Sequence, residues 1–188
     1  MMCTNSPVKR LVKTLNIDPW STVAQPDFAQ VGDTNLAQWR PRMATTTAQN
    51  FADHLEIQQV LNLYASALDK HQWADLEQVF TEDAVADFIG IGVCEGRQAI
   101  TELVTGVLTQ CAVTQHLLGN YSIDVDGDKA TASCYLSAMH AGLGDYAADI
   151  FTVWGEYNDQ LVRTADGWRI AHRSLTTMHA SGDIGLNG

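Results

Sequence analysis

The sequence predicts an α+β domain, a cone-shaped α+β barrel with three N-terminal helices packed on a strongly curved, mainly antiparallel sheet. Two observations predict it. Between Thr45 and Cys111 the apolar residues mostly recur at three- and four-residue steps, and after Val113 the chain consists of long strand-like segments separated by turn signals. Helices followed by an antiparallel meander lie on one face of a bent sheet, and such a sheet encloses a cone-shaped pocket.

The first half of this domain contains the predicted helices. Apolar residues from Leu55 to Leu68 lie at helical spacing and predict an amphipathic helix that ends near Asp69. A second, short helix runs from Trp73 to Phe80, and the segment RQAITELVTGVLTQC predicts a third. Between them, AVADFIGIGVCEG is rich in small and apolar residues and predicts one strand.

Four further strands are predicted in the second half. They are VTQHLLGNYSIDV, KATASCYLSAMHAG, DIFTVWGEYNDQLVRT and GWRIAHRSLTTMH, and two of the junctions carry the turn signals DGD and ADG. The segment DVDGDK at 124–129 imitates the start of a calcium loop, but Tyr135 stands at the twelfth position, where such a loop needs a bidentate glutamate. A hairpin turn is therefore the better interpretation of this segment.

The chain divides near residue 42. All 4 prolines lie before that point, and 13 of the 14 glycines follow it. Residues 1–42 are mildly basic and lack a long periodic pattern, which predicts a flexible N-terminal extension with no part in the fold. Residues 43–188 are the predicted folded domain, and Met43 resembles a natural start.

Charge and composition narrow the class of partner. The formal net charge of -11 disfavours nucleic acid and anionic membrane surfaces, which attract clustered lysine and arginine. No apolar stretch approaches the ~18 residues that a membrane span needs. The 4 cysteines include no C-x-x-C pair, so neither a zinc site nor a disulfide framework is indicated, and a reducing cytoplasm is the default. We therefore expect a small-molecule partner, with no nucleic acid and no membrane.

Several segments, taken in order, resemble the SnoaL-like branch of the nuclear transport factor 2-like superfamily. They are IQQVLNLYASALDKHQWADLEQVFTEDAV, GRQAI, VTQHLLGNYSIDVDGDKATA and GEYNDQLVRTADGWRIAHR, and together they cover roughly residues 50–180. This fold is shared by dehydratases, isomerases, polyketide cyclases, dehydrochlorinases, dioxygenase small subunits and proteins that only bind. The resemblance therefore implies a fold, and function has to be argued from individual residues.

The resemblance implies a catalytic pair. In the resembling hydratases and lyases an aspartate at the position of Asp69 projects into the cone and pairs with a strand histidine, which His116 matches. Alternatively, Asp69 only ends its helix and His116 is satisfied within a half-buried strand. If the two do pair, the carboxylate selects the ring tautomer and stabilises the imidazolium, which makes a general base without a metal.

Three further residues are candidates for substrate binding. Tyr64 lies five residues before Asp69 and is either a hydroxyl donor in the pocket or part of the core. Hexachlorocyclohexane dehydrochlorinases have a lysine where Tyr64 aligns, which favours dehydration or isomerisation over halide elimination. Asn120 follows His116 by four residues, so strict alternation places both on one sheet face. His140 could reach the pocket mouth, although its strand face stays open.

We therefore expect a cofactor-independent lyase or isomerase that acts on a small, apolar, hydroxylated or carbonyl-bearing compound, with no metal. His116 would be the general acid and base, and Asp69 its orienting partner. The alternatives are a non-catalytic binding or assembly module and the small subunit of a ring-hydroxylating dioxygenase, which needs an iron-bearing partner. We also expect a homodimer or homotrimer, because helices on one face of a sheet leave the other face uncovered.

Overall fold

Three helical segments precede most of the sheet. The computed structural model describes residues 48–88 and 92–185, and the predicted extension at 1–42 lies outside them. Helix α1 spans Ala48–Asp69, a 3₁₀ helix spans Trp73–Gln78, and helix α2 spans Arg97–Leu108. The three predicted N-terminal helices are confirmed, the second as a short 3₁₀ segment.

Six strands form one mixed sheet. They are β1 (Phe80–Phe88), β2 (Gly92–Glu95), β3 (Val113–Asp126), β4 (Lys129–Ala141), β5 (Ile150–Thr164) and β6 (Gly167–Ser181), and a short 3₁₀ helix, Gly144–Tyr146, lies between β4 and β5. Their order in the sheet is β2-β1-β6-β5-β4-β3, with β1 parallel to β6 and every other pair antiparallel. The α+β class is confirmed, but the sheet is not closed, because the edge strands β2 and β3 lie at its opposite ends.

The strand predicted as one segment before α2 is in fact two. Strands β1 and β2 pair antiparallel, with Val85 opposite Glu95 and Phe88 opposite Gly92. The prediction of a single strand is therefore wrong. The two strands of a hairpin carry the same kind of apolar composition, so composition alone does not reveal where the chain reverses between them.

Helix α1 covers the inner face of the sheet with one apolar stripe. Ile57, Leu61, Tyr64 and Leu68 are each at most 2% exposed and follow the three- and four-residue spacing of a helix face. Strand β4 directs small side chains to the same side, including Ala132 and Ala138. The core therefore lies between the helices and this face.

The β3–β4 connection is the hairpin that the sequence indicated. Asp126 pairs with Lys129, and Gly127 adopts φ 61°, the left-handed conformation that glycine tolerates in a two-residue turn. The segment at 124–129 is thus the end of one strand and the start of the next. Among the described residues, no helix combines the length and apolar character that crossing a membrane requires.

Candidate active site

Backbone hydrogen bonds alone close the last turn of helix α1, and the side chain of Asp69 takes no part in them. The backbone N–H groups of Lys70, His71 and Gln72 donate to the carbonyls of Ser66, Leu68 and Ala67. His71 adopts φ 54°, so the chain reverses there in the left-handed conformation. Asp69 is therefore not the group that caps the helix.

The carboxylate of Asp69 instead reaches across to strand β3. Its Oδ1 lies 2.6 Å from Nδ1 of His116 and accepts a 3.2 Å hydrogen bond from Oγ1 of Thr114. Its Oδ2 accepts the backbone N–H of His116 at 2.9 Å. Burial raises the pKa of Asp69, but the bonds from His116 and Thr114 outweigh that effect and hold the pKa below its ordinary value.

This arrangement selects one tautomer of His116. Because Asp69 is ionised at neutral pH, Nδ1 of His116 carries the proton and Nε2 presents its lone pair. Within residues 48–88 and 92–185, no group forms a hydrogen bond with Nε2 of His116. The side chain is 6% exposed, against 22% for that of Asp69, so the imidazole is mostly shielded from water.

His140 lies beside the pair on the inner face of β4. Its ring packs edge-on against that of His116 with centroids 5.4 Å apart, and its Nδ1 lies 3.3 Å from the carbonyl oxygen of Phe151. Burial, reinforced by the neighbouring His116, lowers the pKa of His140 to about 4. His140 is therefore neutral at physiological pH. The strand face that the sequence left open is the inner one.

A cleft opens next to the Asp69–His116 pair. It has a volume of about 320 Å³. One wall is helix α1, and the other is β3. Its lining residues are Asn62, Ala65, Ser66, Asp69, Lys70, His116, Leu117 and Leu118. A small apolar compound with a few polar groups suits this mixture of leucine side chains and hydrogen-bonding groups.

The comparison with protein families identifies the chain. The model of the SnoaL-like domain matches residues 49–174. The chain belongs to the SnoaL-like family. The resemblance stated from the sequence is thereby confirmed.

This SnoaL-like chain also resembles individual proteins. It is 42% identical to the uncharacterized protein Rv2910c of Mycobacterium tuberculosis over 129 residues, which are 66% of this chain and 85% of that one. A provisionally assigned scytalone dehydratase from Novosphingobium aromaticivorans has a TM-score of 0.65 at 23% identity, covering 70% of this chain and 88% of its own. The hexachlorocyclohexane dehydrochlorinase LinA-type3 from Novosphingobium barchaimii has a TM-score of 0.63 at 18% identity, covering 72% and 92%. These two structures share the fold.

Tyr64 lies in the core of this SnoaL-like domain, away from the cleft. It is 1% exposed, and its ring stands edge-on to those of Phe80 and Tyr157. The guanidinium of Arg173 lies over it at 4.2 Å from the ring centroid. Of the two interpretations of Tyr64, its surroundings match the core residue.

Asn120 lies at a β-bulge, which breaks the alternation on which its prediction depended. The register of β3 against β4 shifts between Gly119 and Ser122, and Asn120 is exposed with φ 53°. The extra residue moves Tyr121 onto the face that packs against the core. The prediction that Asn120 shares the face of His116 by strict alternation is therefore wrong.

Sequence reasoning missed two residues of the site. Thr114 precedes His116 by two residues, so the same alternation could have placed its hydroxyl on the inner face beside Asp69. Lys70, the residue that directly follows helix α1, also lines the cleft. Within the described part of the chain, no three His, Cys, Asp or Glu side chains are arranged to hold a metal ion.

Proposed function

We propose that this SnoaL-like protein is a cofactor-independent lyase or isomerase, of the dehydratase kind, acting on a small, largely apolar compound with a hydroxyl or carbonyl group. The observation that carries the proposal is the 2.6 Å contact between the Asp69 carboxylate and Nδ1 of His116 at the edge of an open cleft. The dehydratase and dehydrochlorinase that share the fold are consistent with it.

In this proposal His116 moves the proton. Its Nε2 accepts a proton from a carbon next to a carbonyl, and the electron pair of that C–H bond forms a new double bond. In a dehydration, the C–O bond of a neighbouring hydroxyl breaks, and the imidazolium returns the proton to that oxygen so that water leaves. In an isomerisation the proton returns to another carbon. Asp69 stays ionised and stabilises the imidazolium throughout.

His140 supports the same chemistry by staying neutral. A second imidazolium 5.4 Å away would oppose the charge that develops on His116. With Nδ1 donating to Phe151, Nε2 of His140 keeps its lone pair as an acceptor. Of the three substrate-binding candidates from the sequence, His140 is the one beside the pair, so it is the one kept in the proposal.

The proposal is tested by hydrogen exchange, which needs no prior substrate. The protein is incubated in D₂O with a panel of small carbonyl and β-hydroxycarbonyl compounds, and deuterium incorporation and loss of water are followed by mass spectrometry. For any compound that reacts, His116→Ala should slow exchange by ~10²-fold or more. His71→Asn is the matched control, because His71 is exposed and its φ of 54° suits asparagine.

Two results would contradict the enzyme. One is an unchanged exchange rate in His116→Ala, and the other is saturable binding of a panel compound with no exchange at any pH. The second result would favour a non-catalytic binding module. Co-purification with a large, iron-bearing chain would favour a dioxygenase small subunit instead.

We also propose that the protein is a homodimer or homotrimer in the cytoplasm. Leu117, Tyr135 and Trp154 are 60%, 49% and 41% exposed and share the outer face of the sheet. Such a patch favours association with another surface. Cys94, Cys111 and Cys134 are free thiols, consistent with a reducing compartment. Sedimentation of the wild type and of Trp154→Glu tests the assembly; a monomeric wild type would contradict it.

A further inference from the structure

One wall of the cleft carries a row of hydrogen-bonding groups along helix α1. Asn62, Ser66 and Lys70 follow one another at four-residue steps, so their side chains lie on one stripe and rise about 6 Å per step. All three line the same cleft as His116. The row therefore ends at Lys70, which directly follows the Asp69 that contacts His116.

The groups in this row are available to donate. The Tyr121 hydroxyl donates to Oδ1 of Asn62, and within the described residues no group accepts a hydrogen bond from the NH₂ of that amide. Across residues 48–88 and 92–185, the hydroxyl of Ser66 and the ammonium of Lys70 bond to no other side chain. A ligand that matches this wall supplies acceptors.

Among residues 48–88 and 92–185, no carboxylate forms a salt bridge with Lys70, although Asp69 precedes it in the chain. Both oxygens of Asp69 are directed to β3, where they accept the bonds from Thr114 and His116. Arg163 and Arg173, in contrast, are each held by an aspartate. Lys70 is thus an exposed cation at the cleft, without an ion-pair partner in the described part of a chain whose formal net charge is -11.

We propose that the cleft selects substrates that carry an anionic group, with carboxylate or phosphate oxygens seated at Lys70. The apolar part of the compound lies against Leu118, and its reacting carbon faces His116. This substrate class depends on the proposed function, in which His116 removes a proton from the bound compound. The anion also stabilises the imidazolium that forms during the reaction.

Binding is measured separately from turnover, so that the two proposals can fail separately. Full-length protein with isotope-labelled histidine is titrated with cinnamate and phenyl phosphate, and with the neutral analogues cinnamyl alcohol and benzyl alcohol. The readout is the ring resonances of His116 in NMR spectra, assigned with His116→Ala. Each titration is repeated with Lys70→Gln and with Lys129→Gln, the matched control, because Lys129 is exposed in the β3–β4 hairpin, outside the cleft.

Three results are expected. At least one anion shifts the His116 resonances at lower concentration than its neutral analogue does. Lys70→Gln weakens that anion about fivefold and leaves the neutral analogue unchanged, whereas Lys129→Gln changes neither. The preference for the anion also shrinks as salt is raised, since the lysine is exposed. The stronger of the two anions identifies the group as carboxylate or phosphate.

The inference is overturned if no anion perturbs His116, if neutral and anionic compounds bind equally, or if Lys70→Gln and Lys129→Gln have the same effect. Anion binding that depends on Lys70, together with no deuterium exchange for any anionic compound, would keep the inference and refute the enzyme. Exchange that is insensitive to Lys70→Gln would do the reverse.

Discussion

Two aspartates on helix α1 accept hydrogen bonds from different kinds of side chain. Asp53, near the start of the helix, is 2% exposed and accepts hydrogen bonds from Nη1 and Nη2 of Arg163 at 2.8 and 2.9 Å. It also accepts the indole N–H of Trp168 at 3.3 Å. Asp69, at the end of the helix, accepts bonds from His116 and Thr114 instead.

Asp53 and Asp69 differ in the kind of side chain that each one binds. Arg163 keeps its charge at every accessible pH, holds Asp53 with both arms of its guanidinium and packs over Trp168 at 4.4 Å from the ring centroid. Arg163 also donates a hydrogen bond to Asp128, which links the β3–β4 turn to Asp53. An imidazole, in contrast, gains and loses a proton near neutral pH. On this helix, therefore, the partner distinguishes the structural ion pair of Asp53 from the candidate proton-transfer pair of Asp69.

The largest expected effect comes from a third aspartate, Asp159 on β5, whose side chain is fully buried. Asp159 and Arg173 are both 0% exposed as side chains and form two hydrogen bonds, at 2.7 and 2.8 Å. Asp159→Ala leaves the guanidinium buried without its counterion, which should lower the free energy of unfolding by about 3–5 kcal/mol. Urea unfolding followed by circular dichroism measures it. A loss below ~1 kcal/mol would show that Arg173 finds another partner.

The pH dependence of stability should reveal His140. Its pKa is lowered to about 4 in the folded protein from 6.5, so the fold favours the neutral ring. The resulting stability is present above pH ~6.5 and is lost as the pH falls toward 4, by up to about 3 kcal/mol. His140→Gln should flatten the stability profile in this window, as measured by urea unfolding at several pH values. An unchanged profile would mean that His140 is not buried as a neutral ring.

Substituting each of the two helix aspartates separately tests the comparison directly. Asp69→Asn should lower turnover of a verified substrate by ~10²-fold, because an amide no longer selects the tautomer or stabilises the imidazolium. Asp53→Ala should leave turnover unchanged and lower the free energy of unfolding by about 1–3 kcal/mol, since the buried indole N–H of Trp168 loses its acceptor. The comparison fails if Asp53→Ala is the variant that loses activity.

The contribution of Asp53 to stability should change only at acid pH. Bonds from Arg163 lower the pKa of Asp53 to about 2 from 3.8, so its contribution to stability is present above pH ~3.8 and is lost as the pH falls toward 2. The stability difference between the wild type and Asp53→Ala should therefore be constant from pH 7 to about 4 and shrink below it. Chemical unfolding across this range checks the trend. A difference that shrinks already at pH 6 would point to a titrating partner instead.

The smallest effect is expected at the bulge in β3. Asn120→Gly should raise the free energy of unfolding by at most ~0.5 kcal/mol, because glycine adopts a φ of 53° without a steric cost. Turnover should not change, since Asn120 lies outside the cleft. A clear loss of turnover would return Asn120 to the substrate-binding residues.

Local patterns predicted most of the elements of this fold, because helix and strand periodicity depend on neighbouring residues. The end of α1 at Asp69 and the four long strands follow from such patterns. Family resemblance, rather than periodicity, joined Asp69 to His116. The pairing of β1 with β2 was not predicted, because composition does not mark a chain reversal inside an apolar segment.

The sequence by itself determined the class of the fold, the order of its helices and strands and the residue types available for proton transfer. The tertiary structure decided which of them meet. His116, which binds Asp69, lies 47 residues away along the chain, and Arg163, which binds Asp53, lies 110 residues away. The bulge in β3 places every later side chain of that strand on the face opposite to the one that strict alternation predicts. Contacts of this kind depend on the register between distant strands. Only the fold therefore settled on which side of the sheet His140 lies, that Asn120 lies outside the cleft, and that Lys70 lines it.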